Sequence, residues 1–248
     1  MIFDPKTNKY PYPKYTDEHY LVVKKDNGII FDENYPYIDK SKSYLFKRFW
    51  VRVLLRTIVF PLTKIRLGLK VEGKENLKHY KHIINDGIIS VCNHVHMWDY
   101  LGILRTIKPR KPYLLAWKKN LNGESATLVK MVGGVPIPEN DYKATKAFMN
   151  QIDNMLSVDK GWLHIYPEGS MWEYYAPIRP FKTGAAHMAI KFNKPILPFA
   201  YSYRKPGWIR RKLFHQIALF TLRVGDPIYK DESLSGIEQE EDLTRRIH

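Results

Sequence analysis

A chain of 248 residues with 44% hydrophobic and 14% aromatic side chains is long enough to bury a sizeable core in one large or two small domains, and too apolar to be disordered. Its 40 Lys and Arg against 25 Asp and Glu leave a net charge of +15, which favours a polyanionic partner: nucleic acid, an anionic membrane surface or phosphate-bearing substrates. The single cysteine, Cys92, excludes an internal disulfide framework and fits a reducing compartment.

Residues 1–40 are rich in Tyr, Lys, Asp and Pro without a sustained period, and read as an irregular lead. The opening Met1-Ile2-Phe3-Asp4-Pro5-Lys6 lacks the apolar core of a signal peptide, so export is not expected. Asp26-Asn27-Gly28 suits a tight turn, and a short hairpin is predicted around it.

Residues 41–69 form a basic amphipathic segment. Arg48, Arg52 and Arg56 recur at i, i+4 and i+8 and line one helical stripe, while Leu45, Phe46, Phe49, Trp50 and Val53 cover most of the remaining surface. A spanning helix needs roughly 20 mostly uncharged residues, and the basic side chains interrupt the run too often for that. The pattern predicts a helix lying in a membrane interface, apolar face down and arginines at anionic headgroups. Its plainer alternative is a surface helix with a solvated basic edge. Pro61 is expected to end or kink the helix.

From residue 70 to 248 the texture alternates and predicts one further domain. Runs with strand character are 88–92, 113–116, 162–166, 195–201 and 217–224, and helical patterns fill 141–156 and 183–192. Strands alternating with helices predict an α/β fold, a largely parallel central sheet flanked by helices. Residues 204–212 read as a basic surface loop with one aromatic, and Glu238-Gln239-Glu240-Glu241-Asp242 as a solvated helix face.

Chemistry gathers where strands of such a sheet end. Ser90-Val91-Cys92 ends a strand and Leu101-Gly102-Ile103-Leu104 opens a helix, so Asn93-His94-Val95-His96-Met97-Trp98-Asp99 lies at a strand-to-helix junction. There Asp99 can fold back onto His94, giving a base with a fixed tautomer that can deprotonate a hydroxyl. His94-x-His96-x-x-Asp99 could instead hold zinc and activate water, but further ligands would be required; His164, His187 and His215 show no ligand spacing, and no metal is expected. Cys92 reads as a small buried strand residue, not a nucleophile. No recognition helix, zinc finger or stacking motif points to nucleic acid.

Further on, the strand Trp162-Leu163-His164-Ile165 runs into Tyr166-Pro167-Glu168-Gly169-Ser170, which presents Glu168 at a second strand end. Together with Gly133-Gly134-Val135-Pro136-Ile137-Pro138-Glu139-Asn140 and Pro195-Ile196-Leu197-Pro198, these ordered blocks resemble the glycerolipid acyltransferases related to 1-acylglycerol-3-phosphate acyltransferase. That family shows Asn-His-x4-Asp, then Gly-x-x-(Phe/Val)-Ile-x-Arg, then aromatic-Pro-Glu-Gly-Thr-Arg, then Pro-(Ile/Val)-x-Pro. The resemblance covers residues 70 to 230.

It implies acyl transfer from an acyl thioester, on CoA or acyl carrier protein, to a lysolipid hydroxyl in phospholipid synthesis, by an enzyme held on the cytoplasmic face of a membrane. The thioester is a co-substrate, and no resident cofactor is implied. Carried over, His94 is the general base, Asp99 orients it, and Glu168, Gly169 and Ser170 shape the acceptor site. Both arginines of the family pattern are absent here, since 133–140 holds none and Met171 follows Ser170. Phosphate contacts would then fall to Lys118, Lys119, Lys182 or Arg179, or Trp172, Tyr174 and Tyr175 would line a site for a less anionic acceptor. A zinc hydrolase and a non-catalytic membrane-binding protein are the more distant alternatives.

Overall fold

The computed structural model describes residues 3–5, 12–16, 18–19 and 23–248. Among these residues seven strands form one sheet: β1 (Lys70–Glu72), β2 (Ile88–Val91), β3 (Tyr113–Ala116), β4 (Gly134–Pro136), β5 (Trp162–Ile165), β6 (Ile196–Arg204) and β7 (Leu219–Val224). Their spatial order is β1-β7-β6-β2-β5-β3-β4. Only the β6–β7 pair is antiparallel. The five predicted strands are present, and the two additional ones are three-residue strands too short to show a period.

Helices cover both faces, as the fully buried central strands require. Successive β2 residues feed opposite cores. Ile89 and Val91 join one with Phe148, Ile152, Ala186 and Leu243. These belong to α8 (Tyr142–Asp153), α9 (Gly184–Lys191) and α11 (Gly236–Ile247). Ile88 and Cys92 join the other with Ile103 of α5 (Asp99–Thr106), Phe199 and Phe220. Burial of each of the Ile, Val, Leu and Phe side chains among these stabilises the fold by about 1.5–3 kcal/mol. Along α11, Gln239, Leu243 and Ile247 turn inward at i, i+4 and i+8. Glu238 and Glu241 are exposed, whereas Glu240 is half-buried and bonds His187 of α9 at 2.7 Å, so the expected solvated face is only partly solvated.

The described residues of the lead form no helix or strand, and Asp26-Asn27-Gly28 makes no hairpin. Asn27 donates its backbone N–H to the carbonyl of Asn122 at 2.8 Å, so its partner is the end of α6 (Lys118–Asn122) and not a neighbouring strand. Residues 204–212 are not a loop either. Arg204 ends β6, and Trp208–Phe214 form a helix, α10.

The basic segment is helical from end to end: α1 (Lys42–Leu54), a π turn (Leu55–Val59) and α2 (Phe60–Leu67), closed by left-handed Gly68 at φ 55°. Pro61 neither ends nor breaks it. A proline removes the N–H that would bond back to residue 57, and the wider π turn directly before it takes up that loss.

The arginine stripe faces the protein, contrary to the expected headgroup contact. Arg48 is buried, donating to the carbonyl of Pro112 at 2.8 Å with its guanidinium 4.3 Å from the ring of Tyr113. Arg52 reaches the carbonyl of Arg110, and only Arg56 is exposed. Edge carbonyls before β3 supply the acceptors that water would otherwise provide. The outward side is the apolar one: Phe46 (65% exposed), Phe49, Trp50, Leu54, Ile58, Leu62 and Ile65. Among the described residues no helix is long and apolar enough to cross a membrane.

Candidate active site

β2 ends at Val91 and α5 begins at Asp99, so His94 sits in the intervening loop and Asp99 in the first turn of the helix. The carboxylate folds back as the spacing predicts: His94 Nδ1 lies 2.8 Å from Asp99 Oδ2. Oδ2 also accepts the backbone N–H groups of Val95 (2.9 Å) and His96 (3.2 Å), and Oδ1 accepts the hydroxyl of Tyr166 (2.8 Å). Full burial alone would raise this carboxyl. The charge of His94 and the hydrogen bonds from His94, Tyr166 and Val95 outweigh that and hold it below its usual range. An anionic Asp99 accepts a hydrogen bond from Nδ1–H, which leaves the lone pair of the neutral imidazole on Nε2.

Tyr166 has a second contact, its ring stacking on the imidazole at 4.0 Å and 17°. Motif spacing shows it only as an aromatic before Pro167, and its hydroxyl is what ties it to the acid. Asn93, the first residue of the motif, braces β2 to β6 by accepting the N–H of Tyr201 (2.7 Å) and donating to its carbonyl (3.1 Å).

Parallel register brings the two main blocks together. Val91 lies opposite Ile165, so His94 and Glu168, each three residues further on, leave the sheet at the same edge. Glu168, expected at the acceptor site, is nevertheless turned into the protein. It is buried against Arg179 (2.8 Å) and accepts the backbone N–H groups of His94 (3.1 Å) and Arg179 (2.9 Å). Burial raises its carboxyl despite the guanidinium beside it. Arg179 is equally buried and also donates to Ser170 Oγ (2.8 Å) and the carbonyl of Thr16 (2.9 Å), so its guanidinium is engaged within the protein. Trp172 and Tyr174 do not line the site; their backbone N–H groups bond to the carbonyls of His94 and Val95 and fasten the loop.

In front of His94 opens a cavity of about 400 Å³. Gly169 and Ser170 line it, as do Tyr100, Leu114, Val129 and Val132. Gly169 turns the chain at φ 77°, and a Cβ there would come within 3.0 Å of Lys182 Nζ, which places Lys182 at this rim. Lys119 lies 4.9 Å over Trp117, a lining residue, whereas Lys118 is engaged with Glu139 at 2.8 Å. The lead contributes as well, since His19 lines the cavity and stacks on Trp117 at 3.8 Å. No motif marks His19, whose position is purely tertiary.

His96 turns away from His94: its Nδ1 accepts the N–H of Trp98, and its Nε2 meets Glu173 at 3.2 Å. Burial lowers its pKa to about 4. Among the described residues no group of three or more His, Cys, Asp or Glu is placed to hold a metal ion. Cys92 is buried, which pushes its thiol well above the ordinary range.

A family model described as "Acyltransferase" matches residues 68–202. The human 1-acyl-sn-glycerol-3-phosphate acyltransferase beta is 25% identical over 141 residues, covering 56% of this chain and 50% of that protein. The human alpha enzyme is 22% identical over 211 residues, covering 76% and 73%. The chain therefore matches about half the length of the beta relative. In fold it is similar to the crystal structure of the 1-acyl-sn-glycerophosphate (LPA) acyltransferase PlsC from Thermotoga maritima, with a TM-score of 0.51, 16% identity and coverage of 85% of this chain and 82% of that one.

Proposed function

The chain belongs to the acyltransferase family, and from that premise we propose that it transfers an acyl chain from an acyl thioester, on CoA or acyl carrier protein, to the hydroxyl of a lysolipid, nominally 1-acylglycerol-3-phosphate. The reading rests on one observation: a histidine bonded at 2.8 Å to a buried carboxylate borders a largely apolar cavity at the strand ends. His94 Nε2 takes the hydroxyl proton, and the oxygen attacks the thioester carbonyl carbon. The tetrahedral intermediate collapses by breaking the C–S bond, and the imidazolium returns its proton to the departing thiolate. Asp99 keeps the ring in place and stabilises the imidazolium while it exists. The thiolate leaves readily, so no acyl-enzyme is needed, and no resident cofactor takes part.

Gly169 and Ser170 border the acceptor, and Lys119 and Lys182, beside the lining residues Trp117 and Gly169, are placed to serve a phosphate of donor or acceptor. A less anionic acceptor is the second reading, favoured because no arginine is among the described residues lining the cavity. The reaction belongs to phospholipid synthesis at the cytoplasmic face of a membrane, with the protein bound peripherally. The apolar stripe of α1–α2, led by Phe46, Phe49 and Trp50, rests on the bilayer. Leu55 and Phe60 of this segment pack with Leu114 and Val132, so the membrane helix is one side-chain layer from the cavity. Thiol release from acyl-CoA across 1-acylglycerol-3-phosphate, zwitterionic lysolipids, glycerol 3-phosphate and neutral alcohols tests the reaction. Thiol release that no acceptor increases would refute it.

A further inference from the structure

We propose that α10 (Trp208–Phe214) is a second element inserted into an anionic lipid surface, beside α1–α2; this deepens the reading that α1–α2 lies on a bilayer and rests on it. Seven residues of helix carry four large apolar side chains turned outward, with Trp208 71% and Leu213 68% exposed and Ile209 and Phe214 alongside. Half or more of each of these residues is exposed, and Lys212 Nζ lies 5.2 Å from the centre of the Trp208 ring. An apolar cluster of this density on a short helix is unfavourable in water and marks a surface that something else covers.

Two observations select the occupant. The first is continuity. On α1–α2 the outward residues Phe46, Trp50, Leu54, Ile58, Leu62 and Ile65 follow one another at four- and three-residue steps. Steps of four drift around a straight α-helix, and the wider π turn (Leu55–Val59) offsets part of that drift. The stripe ends at Ile65, where α10 is attached: Arg210 Nη1 and Gln216 Nε2 donate to the carbonyl of Ile65 at 3.1 and 3.0 Å, and Gln216 Nε2 to that of Arg66 at 2.7 Å. These bonds satisfy the last carbonyls of α2 and fix α10 at the end of the stripe.

The second is charge. Residues 41–71 contain eight Lys or Arg and residues 202–225 contain six, with no Asp or Glu in either stretch. Lys64, Arg66, Lys205, Arg211 and Lys212 are exposed around the junction. Anionic headgroups complement that field. Glu72, next to these stretches, is already paired with Lys70 and Arg223, so a second copy of this chain docked through the same patch would set like charges against each other.

Cys92 is the single cysteine and is buried, so a cysteine introduced at an exposed position takes a thiol-reactive fluorophore selectively. Leu213→Cys reports α10 and Phe46→Cys reports α1. Each labelled full-length protein is mixed with phosphatidylcholine vesicles with and without about 30% phosphatidylglycerol. With anionic vesicles both probes shift to the blue and are quenched by brominated acyl chains. Trp208→Ser with Phe214→Ser weakens binding to these vesicles on the order of tenfold. A probe at 213 that stays in water while the probe at 46 is quenched overturns the role of α10 and leaves α1–α2 in place. Both probes staying in water overturns both readings. A 213 probe shielded without vesicles, in a sample that light scattering shows to be dimeric, overturns the lipid assignment in favour of self-association.

Discussion

Glu168 Oε2 takes the backbone N–H of His94 at 3.1 Å, so the proposed base is held by a carboxylate that does not itself line the cavity. The same oxygen meets the buried guanidinium of Arg179, which makes the ion pair a brace between the turn after β5 and the loop after β2. Glu168→Ala strands a buried cation and costs about 3–5 kcal/mol of stability. Glu168→Gln keeps an oxygen for one backbone N–H and costs less. Urea unfolding of both variants measures the difference; an Ala variant as stable as the parent would remove the brace from the account.

His94→Ala and Asp99→Asn each lower the transfer rate by on the order of 10³-fold or more while the protein stays folded. The first removes the base. In the second a neutral amide replaces the anion that orients Nδ1–H. The readout is thiol release at saturating acceptor, with circular dichroism as the folding control.

Tyr166→Phe separates the two contacts of that side chain, since the ring still stacks on His94 and only the hydroxyl bond to Asp99 goes. Asp99 lies below its unfolded value, so it contributes stability that is present above the ordinary Asp range and lost as pH falls through the folded value. Without the hydroxyl the folded value rises, and the acid-unfolding midpoint moves to higher pH. The rate falls about tenfold, in line with one lost hydrogen bond to a charged group. An unchanged acid midpoint would contradict the coupling.

Two buried histidines add a separate pH dependence. Burial lowers His164 to about 3 and His96 to about 4, with Asp99 opposing only in part. Below the ordinary value of 6.5 the unfolded chain binds protons that the folded chain refuses, so stability falls as pH drops from 6.5 toward 4. The slope is about 1.4 kcal/mol per pH unit for each histidine. His164→Gln removes one of the two shares, which urea unfolding at neutral and mildly acidic pH resolves.

Phe49→Ser with Trp50→Ser strips two aromatics from the outward face of α1 without touching the buried Arg48 contacts. Thermal unfolding stays close to the parent, and sedimentation with anionic vesicles falls by about tenfold. Undiminished sedimentation would move the membrane contact elsewhere on the molecule.

Much of this was legible in the residues. Apolar runs located the five longer strands, and the helices at 141–156 and 183–192 followed from period. His94 and Asp99 meet because both belong to one strand–loop–helix unit, and local spacing governs such contacts. Glu168 was placed at the right edge but its burial was not foreseen, because a motif shows that a carboxylate is near a site and not whether an arginine beyond the next turn has buried it. The arginine stripe of α1 was found, yet its direction was misjudged. Periodicity tells which residues share a face, and only packing against the carbonyls of Pro112 and Arg110 tells which face is inside.

The chain by itself determined the alternating α/β order, the His94–Asp99 pair and a cationic, amphipathic segment ahead of the sheet, because these follow from period, spacing and composition within short stretches. Tertiary structure alone decided that Val91 lies opposite Ile165, that Arg179 closes over Glu168, that His19 reaches the cavity and that α10 meets the end of α2. Each of those joins residues more than 70 positions apart except the Glu168–Arg179 pair, eleven apart across a turn, whose burial depends on the lead folded over it. Contacts of that kind depend on register and packing, which no local pattern encodes.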